Sequence, residues 1–309
     1  MNDLTKRVLV AAVGIPFALL IIVLGGFPFF ITVSFISLIS LLEFYSLAEK
    51  KGFAPHKING TIFGIILQMV FFIQFSHFGK LSPFMSAILI YLFFVLVTLI
   101  CETYSKNPNK IANVGVTVLG ISYISIFFIT FYIMREFNYF LYLFDIHVKS
   151  FALGQNFALL TQLLKIAPER WAFLIITMLG SIWVCDSAAY FIGRAIGKHK
   201  LFERISPKKT IEGAIAGFVF AILAFVGLGE LFLAEIPVVH FIVGGSIVGV
   251  LGQYGDLAES MLKRDAGVKD SSNLLPGHGG ALDRFDSILF VSPSYFIYLS
   301  IVIFFDLGI

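Results

Sequence analysis

The chain has 309 residues, 58% of them hydrophobic and only 13% charged, about half the charged share of an ordinary soluble domain. One soluble core cannot hide that much apolar surface, so the composition excludes a soluble globular enzyme and points to a membrane protein. The net charge of +3 gives no reason to expect nucleic acid as a partner, and Cys101 and Cys185 form neither a metal-ligand spacing nor a disulfide framework.

A membrane span takes about 20 mostly apolar residues. Nine stretches qualify: 8–25, 29–48, 60–77, 83–101, 111–134, 171–192, 211–234, 238–254 and 287–305. The first follows Lys6 and Arg7 and exits through Gly25-Gly26-Phe27-Pro28 with no small-x-small cleavage site, which reads as a retained span and not a removed signal. The third carries Gln68 and Gln74. The eighth carries Gly244, Gly245, Gly249 and Gly252, small residues that let helices approach closely. Residues 151–166 are apolar at helical spacing but broken by Gln155, Asn156 and Gln162, and read as an interfacial helix. The expected fold is all-α, a polytopic helical bundle of about nine transmembrane helices. N-terminal helices fill 1–135, an external loop with the interfacial helix fills 136–170, and a C-terminal catalytic region fills 171–309.

Basic residues set the orientation. If successive loops alternate sides, 17 of the 22 Lys and Arg residues fall with the N-terminus and 5 fall opposite. That split predicts a cytoplasmic N-terminus in a multi-pass protein of the cell (inner) membrane. It also puts the two loops richest in motifs, 193–210 and 255–286, on the cytoplasmic side.

The stretch 255–286 holds six acids (Asp256, Glu259, Asp265, Asp270, Asp283 and Asp286) among Lys263, Arg264, Lys269, His278 and Arg284. Positive-inside bias accounts for the cations but not for the acids. Carboxylates hold Mg²⁺, which bridges to phosphate oxygens. Cations meet the remaining phosphate charge, and glycines let backbone N–H groups approach an anion. Asp256, Glu259 and Lys263 share one helix face, whereas Pro276-Gly277-His278-Gly279-Gly280 excludes regular helix.

A second group runs over 183–213. Asp186 lies inside the sixth span, with Tyr190 and Arg194 at four-residue steps on its face. An ionisable group there marks a functional site by default. Ser206, Lys208, Lys209 and Thr210 precede the seventh span, where Thr210 can cap the helix and the lysines suit a phosphate. Gly193 to Lys198 is not a P-loop: its spacing is wrong and His199 stands where Ser or Thr is needed. Glu43, in the second span, reads as paired within the bundle more than catalytic, and His240 reads as packing.

The run Ser260-x-Leu262-Lys263-Arg264, Lys269-Asp270, Leu275-Pro276-Gly277-His278-Gly279-Gly280 and Asp283-Arg284-Phe285-Asp286 resembles the signature of phosphatidate cytidylyltransferases. Asp186, Ala189, Tyr190, Gly193 and Arg194 upstream, with Ser206 to Thr210, Glu212 and Gly213, are similar to the same family. Ala281 departs from it, standing where a larger aliphatic residue is usual. The resemblance implies CTP and phosphatidic acid as substrates, membrane lipids around the site, Mg²⁺ as cofactor, and CDP-diacylglycerol and pyrophosphate as products. Asp256, Asp283 and Asp286 become metal acids and, with Lys263 and Arg264, the catalytic set. Asp186, Arg194, Ser206, Lys208, Lys209, Thr210, Lys269, Asp270, His278, Gly279, Gly280 and Arg284 become substrate-binding. The reading allows a homodimer. Rival readings are a CTP-dependent lipid-alcohol kinase and a secondary anion transporter.

Overall fold

The computed structural model describes residues 3–75, 83–143, 158–274 and 279–305. Helices α1 (Asp3–Leu24), α2 (Gly26–Lys50), α3 (Lys57–Phe75) and α4 (Pro83–Tyr104) open the chain. Next come α5 (Lys110–Gly120) and α6 (Ile126–Arg135), joined by a π-helical turn at Ile121–Ser125. Then follow α7 (Ala158–Leu163), α8 (Ala172–Ile196), strands β1 (Lys200–Phe202) and β2 (Ser206–Thr210), and α9 (Ile211–Leu233). Helix α10 (Val238–Ile247) runs through a second π turn, Val248–Gly252, into α11 (Gln253–Asp265), and α12 (Leu282–Phe305) ends the chain.

The fold is the expected all-α bundle. Among the described residues, seven helices are long and apolar enough to cross a membrane: Gly26–Lys50, Phe84–Tyr104, Lys110–Arg135, Pro168–Ile196, Ile211–Leu233, Val238–Asp265 and Leu282–Phe305. Two shorter apolar stretches, Ala12–Leu24 and Lys57–Ile73, fall where the first and third spans are expected. Length thus supports seven of the nine spans. The outward faces are apolar: Leu92, Phe93, Leu96 and Ile100 of α4 are each more than half exposed, a surface that only lipid solvates cheaply. The chain is a multi-pass membrane protein.

Three local departures matter. The eighth span does not stop near 254; its helix continues through the π turn to Asp265. The last helix starts at Leu282, five residues earlier than hydropathy suggests. The loop before the seventh span is a short antiparallel hairpin, with Lys200 opposite Thr210 and Phe202 opposite Ser206. Of the expected interfacial helix, 158–163 is helical, while 151–157 lies outside the described residues.

The chain divides into two compact units. The first comprises Met1–Gly14, Phe30–Ile129 and Glu259–Phe285. Its core is built from Leu41, Phe44, Tyr45, Phe94, Ile121, Ile124 and Phe128, all buried. Tyr45 sits where a side chain at Gly60 or Gly120 would stand, since a Cβ there would lie 2.1 or 2.4 Å from its ring atoms or hydroxyl. Its hydroxyl donates to the Thr117 carbonyl at 2.9 Å. Gln68, the polar residue that weakens the third span in the sequence, donates to Ser37 Oγ at 2.7 Å in a buried position, so its burial is compensated. Glu102 is met by His56 Nε2 at 2.6 Å and by Asn113 Nδ2 at 3.1 Å.

The second unit comprises Ile15–Phe29, Thr130–Ala258 and Asp286–Ile309. Trp171, Phe225, Phe241 and Tyr295 fill its core, with Phe225 edge-on to Tyr295 at 5.4 Å, a favoured aromatic geometry. The glycine-rich eighth span packs as expected: a Cβ on Gly245 would meet Ile222 Cα at 2.5 Å, and one on Gly249 would meet Phe218 Cα at 2.8 Å. Helix α10 can lie this close to α9 only because those side chains are absent. Arg135, at the end of α6, donates Nε to the Ile22 carbonyl at 2.6 Å and Nη2 to the Val23 carbonyl at 2.9 Å. It thereby satisfies carbonyls left open at the end of α1. His240 is buried and bonded to the Tyr298 hydroxyl at 2.9 Å, a packing role as read from the sequence.

Candidate active site

In the second unit, close helix packing builds a cavity. Helices α8 and α9 cross at glycines: a Cβ on Gly213 would lie 2.6 Å from the Ala189 carbonyl oxygen, and one on Gly193 would lie 2.8 Å from Thr210 Oγ1. The crossing sets Thr210, the residue before α9, against the end of α8. Thr210 Oγ1 accepts from Gly213 N at 3.2 Å and caps α9, as its position predicts.

Around this crossing lies a cavity of about 560 Å³. Asp186, Tyr190 and Arg194 line it from successive turns of α8, the face read from their spacing. Lys208, Lys209 and Thr210 enter from β2, Lys200 from β1, and Gln253 and Asp256 from the first turn of α11. Four of these side chains are cationic and two are carboxylates, so the lining is net positive and suited to a polyanion. Lys209 Nζ lies 2.5 Å from Asp256 Oδ2, and Arg194 donates to the Tyr190 hydroxyl at 3.2 Å.

The hairpin gives the lysines a fixed backbone. Lys200 Nζ donates to the Pro207 carbonyl at 2.7 Å and clamps the two strands. His199 N and Nδ1 meet the Glu212 carboxylate at 3.2 and 2.7 Å, tying the hairpin to the first turn of α9. Ser206 begins β2 and does not line the cavity.

The π turn aims Asp256. Such turns recur at functional sites because one extra residue re-aims everything beyond it. Gln253, just past the turn, donates to the Gly249 carbonyl at 2.6 Å and to the Ala214 carbonyl of α9 at 3.0 Å. Gly255 lets α12 approach, since a Cβ there would meet the Asp286 carbonyl oxygen at 2.5 Å. As a result, carboxylate oxygens of Asp256 and Asp286 lie within 4.8 Å of each other, a spacing at which one hard cation can take an oxygen from each.

In the first unit, Lys263 and Asp283 form a buried ion pair of 2.5 Å, and Glu259 lies 2.6 Å from the same Lys263 nitrogen. Lys263 is 8% exposed, so this cation is held between two carboxylates away from water. Asp283 Oδ2 also accepts from Gly280 N at 2.7 Å, Ser271 N at 3.0 Å and Ser271 Oγ at 2.9 Å. Both oxygens of Asp283 thus have partners within this unit. Gly279 has φ +82°, a left-handed conformation natural to glycine. Arg264, Lys269, Asp270 and Arg284 are exposed, and Arg264 donates to the Val268 carbonyl at 2.9 Å. His278, with Leu275 to Gly277, lies outside the described residues.

Of the residues singled out from sequence, Asp186, Arg194, Lys208, Lys209, Thr210 and Asp256 come together in one cavity. Gln253 was not read, because an amide near a span end carries no spacing signal. The role of Glu43 was also missed: its partners lie 228 to 239 residues away.

A model described as the cytidylyltransferase family matches residues 5–302. Phosphatidate cytidylyltransferase of Bacillus subtilis (strain 168) is 33% identical over 306 residues, covering 98% of this chain and 100% of that protein. The enzyme of the same name from Synechocystis is 33% identical over 313 residues, covering 96% of this chain and 97% of its own length. That of Staphylococcus haemolyticus is 31% identical over 291 residues, covering 93% and 95%. With a match that runs from the first helix to the last, the chain belongs to the cytidylyltransferase family.

Proposed function

We propose that this chain is a phosphatidate cytidylyltransferase, joining CTP to phosphatidic acid to give CDP-diacylglycerol and pyrophosphate. The observation that carries the reading is the cationic cavity between membrane-crossing helices, lined by Asp186, Arg194, Lys200, Lys208, Lys209 and Asp256, in a chain with near full-length relatives of that name. A phosphate oxygen of phosphatidic acid attacks the α-phosphorus of CTP. The bond from that phosphorus to the bridging oxygen breaks, and pyrophosphate leaves with the electron pair. The nucleophile is already an anion, so positioning and charge neutralisation matter more than a strong base.

Arg194, Lys200, Lys208 and Lys209 are the cations that hold the phosphates in the second unit. The capped N-terminus of α9 adds its dipole to theirs. Asp256 and Asp286 are the acids we assign to Mg²⁺, a choice supported by carboxylate oxygens that lie within 4.8 Å of each other. When bound, the ion lowers the charge on phosphate oxygens and stabilises the leaving pyrophosphate. Asp283 stays in the catalytic set as the carboxylate that fixes Lys263. Ser206, Arg264, Lys269, Asp270, His278 and Arg284 are kept as contributors to substrate binding. The site is assigned to the cytoplasmic side of the cell (inner) membrane on the distribution of Lys and Arg.

The test is an assay of the detergent-solubilised chain with CTP and phosphatidic acid, with and without Mg²⁺. Mg²⁺-dependent CDP-diacylglycerol is the expected product. Transfer of the γ-phosphate to a polyprenol supplied in place of phosphatidic acid would instead favour a kinase, and uptake of an anion into proteoliposomes without CTP would favour a transporter.

A further inference from the structure

Glu43 lies in α2 and is 6% exposed. Among the described residues it makes no ion pair; four hydrogen-bond donors satisfy it. Oε1 accepts from Ser272 Oγ at 2.5 Å and Ala281 N at 3.0 Å. Oε2 accepts from Ser271 Oγ at 2.9 Å and Leu282 N at 2.8 Å. Each oxygen therefore takes one serine hydroxyl and one backbone N–H from the start of α12. Gly280 makes this approach possible, since a Cβ there would lie 2.5 Å from Glu43 Oε1 and 2.1 Å from Ser271 Oγ.

Ser271 connects this carboxylate to the buried ion pair. Its hydroxyl lies 2.9 Å from Glu43 Oε2 and 2.9 Å from Asp283 Oδ2, so the two carboxylates share its single proton, while its backbone N–H donates to Asp283 Oδ2 at 3.0 Å. Asp283 in turn holds Lys263 at 2.5 Å. One residue of α2 thus fixes both the first turn of α12 and the serine that steadies Asp283. A residue needed only for folding at this depth could be apolar, because a buried carboxylate costs free energy unless every lone pair is met.

We propose that Glu43 is a positioning residue for the transfer reaction, holding Asp283 and Lys263 in place through Ser271 and the backbone of Ala281 and Leu282; this rests on the proposed phosphatidate cytidylyltransferase activity. The charged, symmetric acceptor is what matters. A glutamine side chain has one oxygen and one NH₂ group, and in either orientation the NH₂ faces a backbone N–H.

The test compares purified wild type, Glu43→Gln, Ser271→Ala and the double variant in detergent. It measures turnover alongside equilibrium binding of radiolabelled CTP. Glu43→Gln is expected to bind CTP with the wild-type stoichiometry, and with affinity within about twofold, while kcat falls about 10- to 100-fold, the scale of loss from a small misplacement of reacting groups. The double variant is expected to lose no more than the worse single variant, since both cut one linkage. Wild-type kcat in Glu43→Gln, binding stoichiometry that falls in step with kcat, or losses that multiply in the double variant would each overturn the proposal. If Glu43→Gln does not survive solubilisation, Ser271→Ala decides by the same two measurements. A wild-type chain that binds CTP but makes no CDP-diacylglycerol would remove the reaction and this inference with it, whereas an active wild type with an unaffected Glu43→Gln removes this inference alone.

Discussion

Lys209 Nζ and Asp256 Oδ2 lie 2.5 Å apart, so the hairpin strand β2 and the first turn of α11 meet through an ion pair inside one cavity. Both side chains are partly open to that cavity, at 27% and 36% exposure. Such a pair adds little to stability, which makes its function the more informative quantity. Asp256→Asn is expected to keep the fold and lose nearly all synthesis, and Lys209→Ala to lose about 10²- to 10³-fold, the usual cost of removing one charge-stabilising donor. The double variant is expected to be no worse than Asp256→Asn. Initial rates from the four proteins, at matched concentrations of folded protein, check this.

The α8–α9 crossing tolerates no added atom. A Cβ on Gly213 would sit 2.6 Å from a backbone oxygen of Ala189, and neither backbone can move without shifting a helix. Gly213→Ala is expected to destabilise the protein by about 1–3 kcal/mol, the usual cost of overpacking. Gly227, where nothing lies within 4 Å of an added Cβ, provides the control, and Gly227→Ala is expected to be neutral or slightly stabilising. Thermal unfolding in detergent, followed by circular dichroism, separates the two.

Lys263 bridges two buried carboxyl groups, Glu259 and Asp283. Replacing it by Met would leave Glu259 and Asp283 facing each other without their cation. Stranding a buried charge costs about 3–5 kcal/mol, so Lys263→Met is expected to unfold at markedly lower temperature and to be inactive. Lys263→Met/Glu259→Gln gives Asp283 an amide donor in place of a second carboxyl group and is expected to recover part of the stability but not turnover. Melting temperature and activity, measured on both variants, test the two parts separately.

Chelation supplies a further check. With Asp256 and Asp286 assigned to Mg²⁺, excess EDTA is expected to stop synthesis and added Mg²⁺ to restore it. The Asp286→Asn variant is expected to need a higher Mg²⁺ concentration for half-maximal rate, which a titration of rate against Mg²⁺ reads directly.

Most of the architecture was legible because hydropathy is additive along the chain. A run such as 83–101 needs no partner to declare itself a helix in lipid. The face shared by Asp186, Tyr190 and Arg194 was legible for a similar reason, since helical periodicity alone aligns residues four apart. Thr210 as a cap follows from one hydroxyl at one boundary. The π turn at Val248–Gly252 left no such mark: it is a backbone register change without a characteristic residue, and it carried the helix past the predicted end near 254. The hairpin was hidden because its strands are only three and five residues long. Glu43 is the clearest case of what a local reading cannot see. Nothing near it in sequence indicates that two serines and two backbone N–H groups, more than 220 positions away, converge on its carboxylate.

The most direct measurement follows the two ends of CTP during turnover by the purified wild-type chain. CTP labelled in the cytosine ring and CTP labelled in the γ-phosphate are supplied in parallel with phosphatidic acid. The account predicts cytosine label in the lipid fraction and γ label only in released pyrophosphate, in equal amounts. Label from the γ-phosphate in lipid, or cytosine label that stays wholly in the aqueous phase, would contradict it.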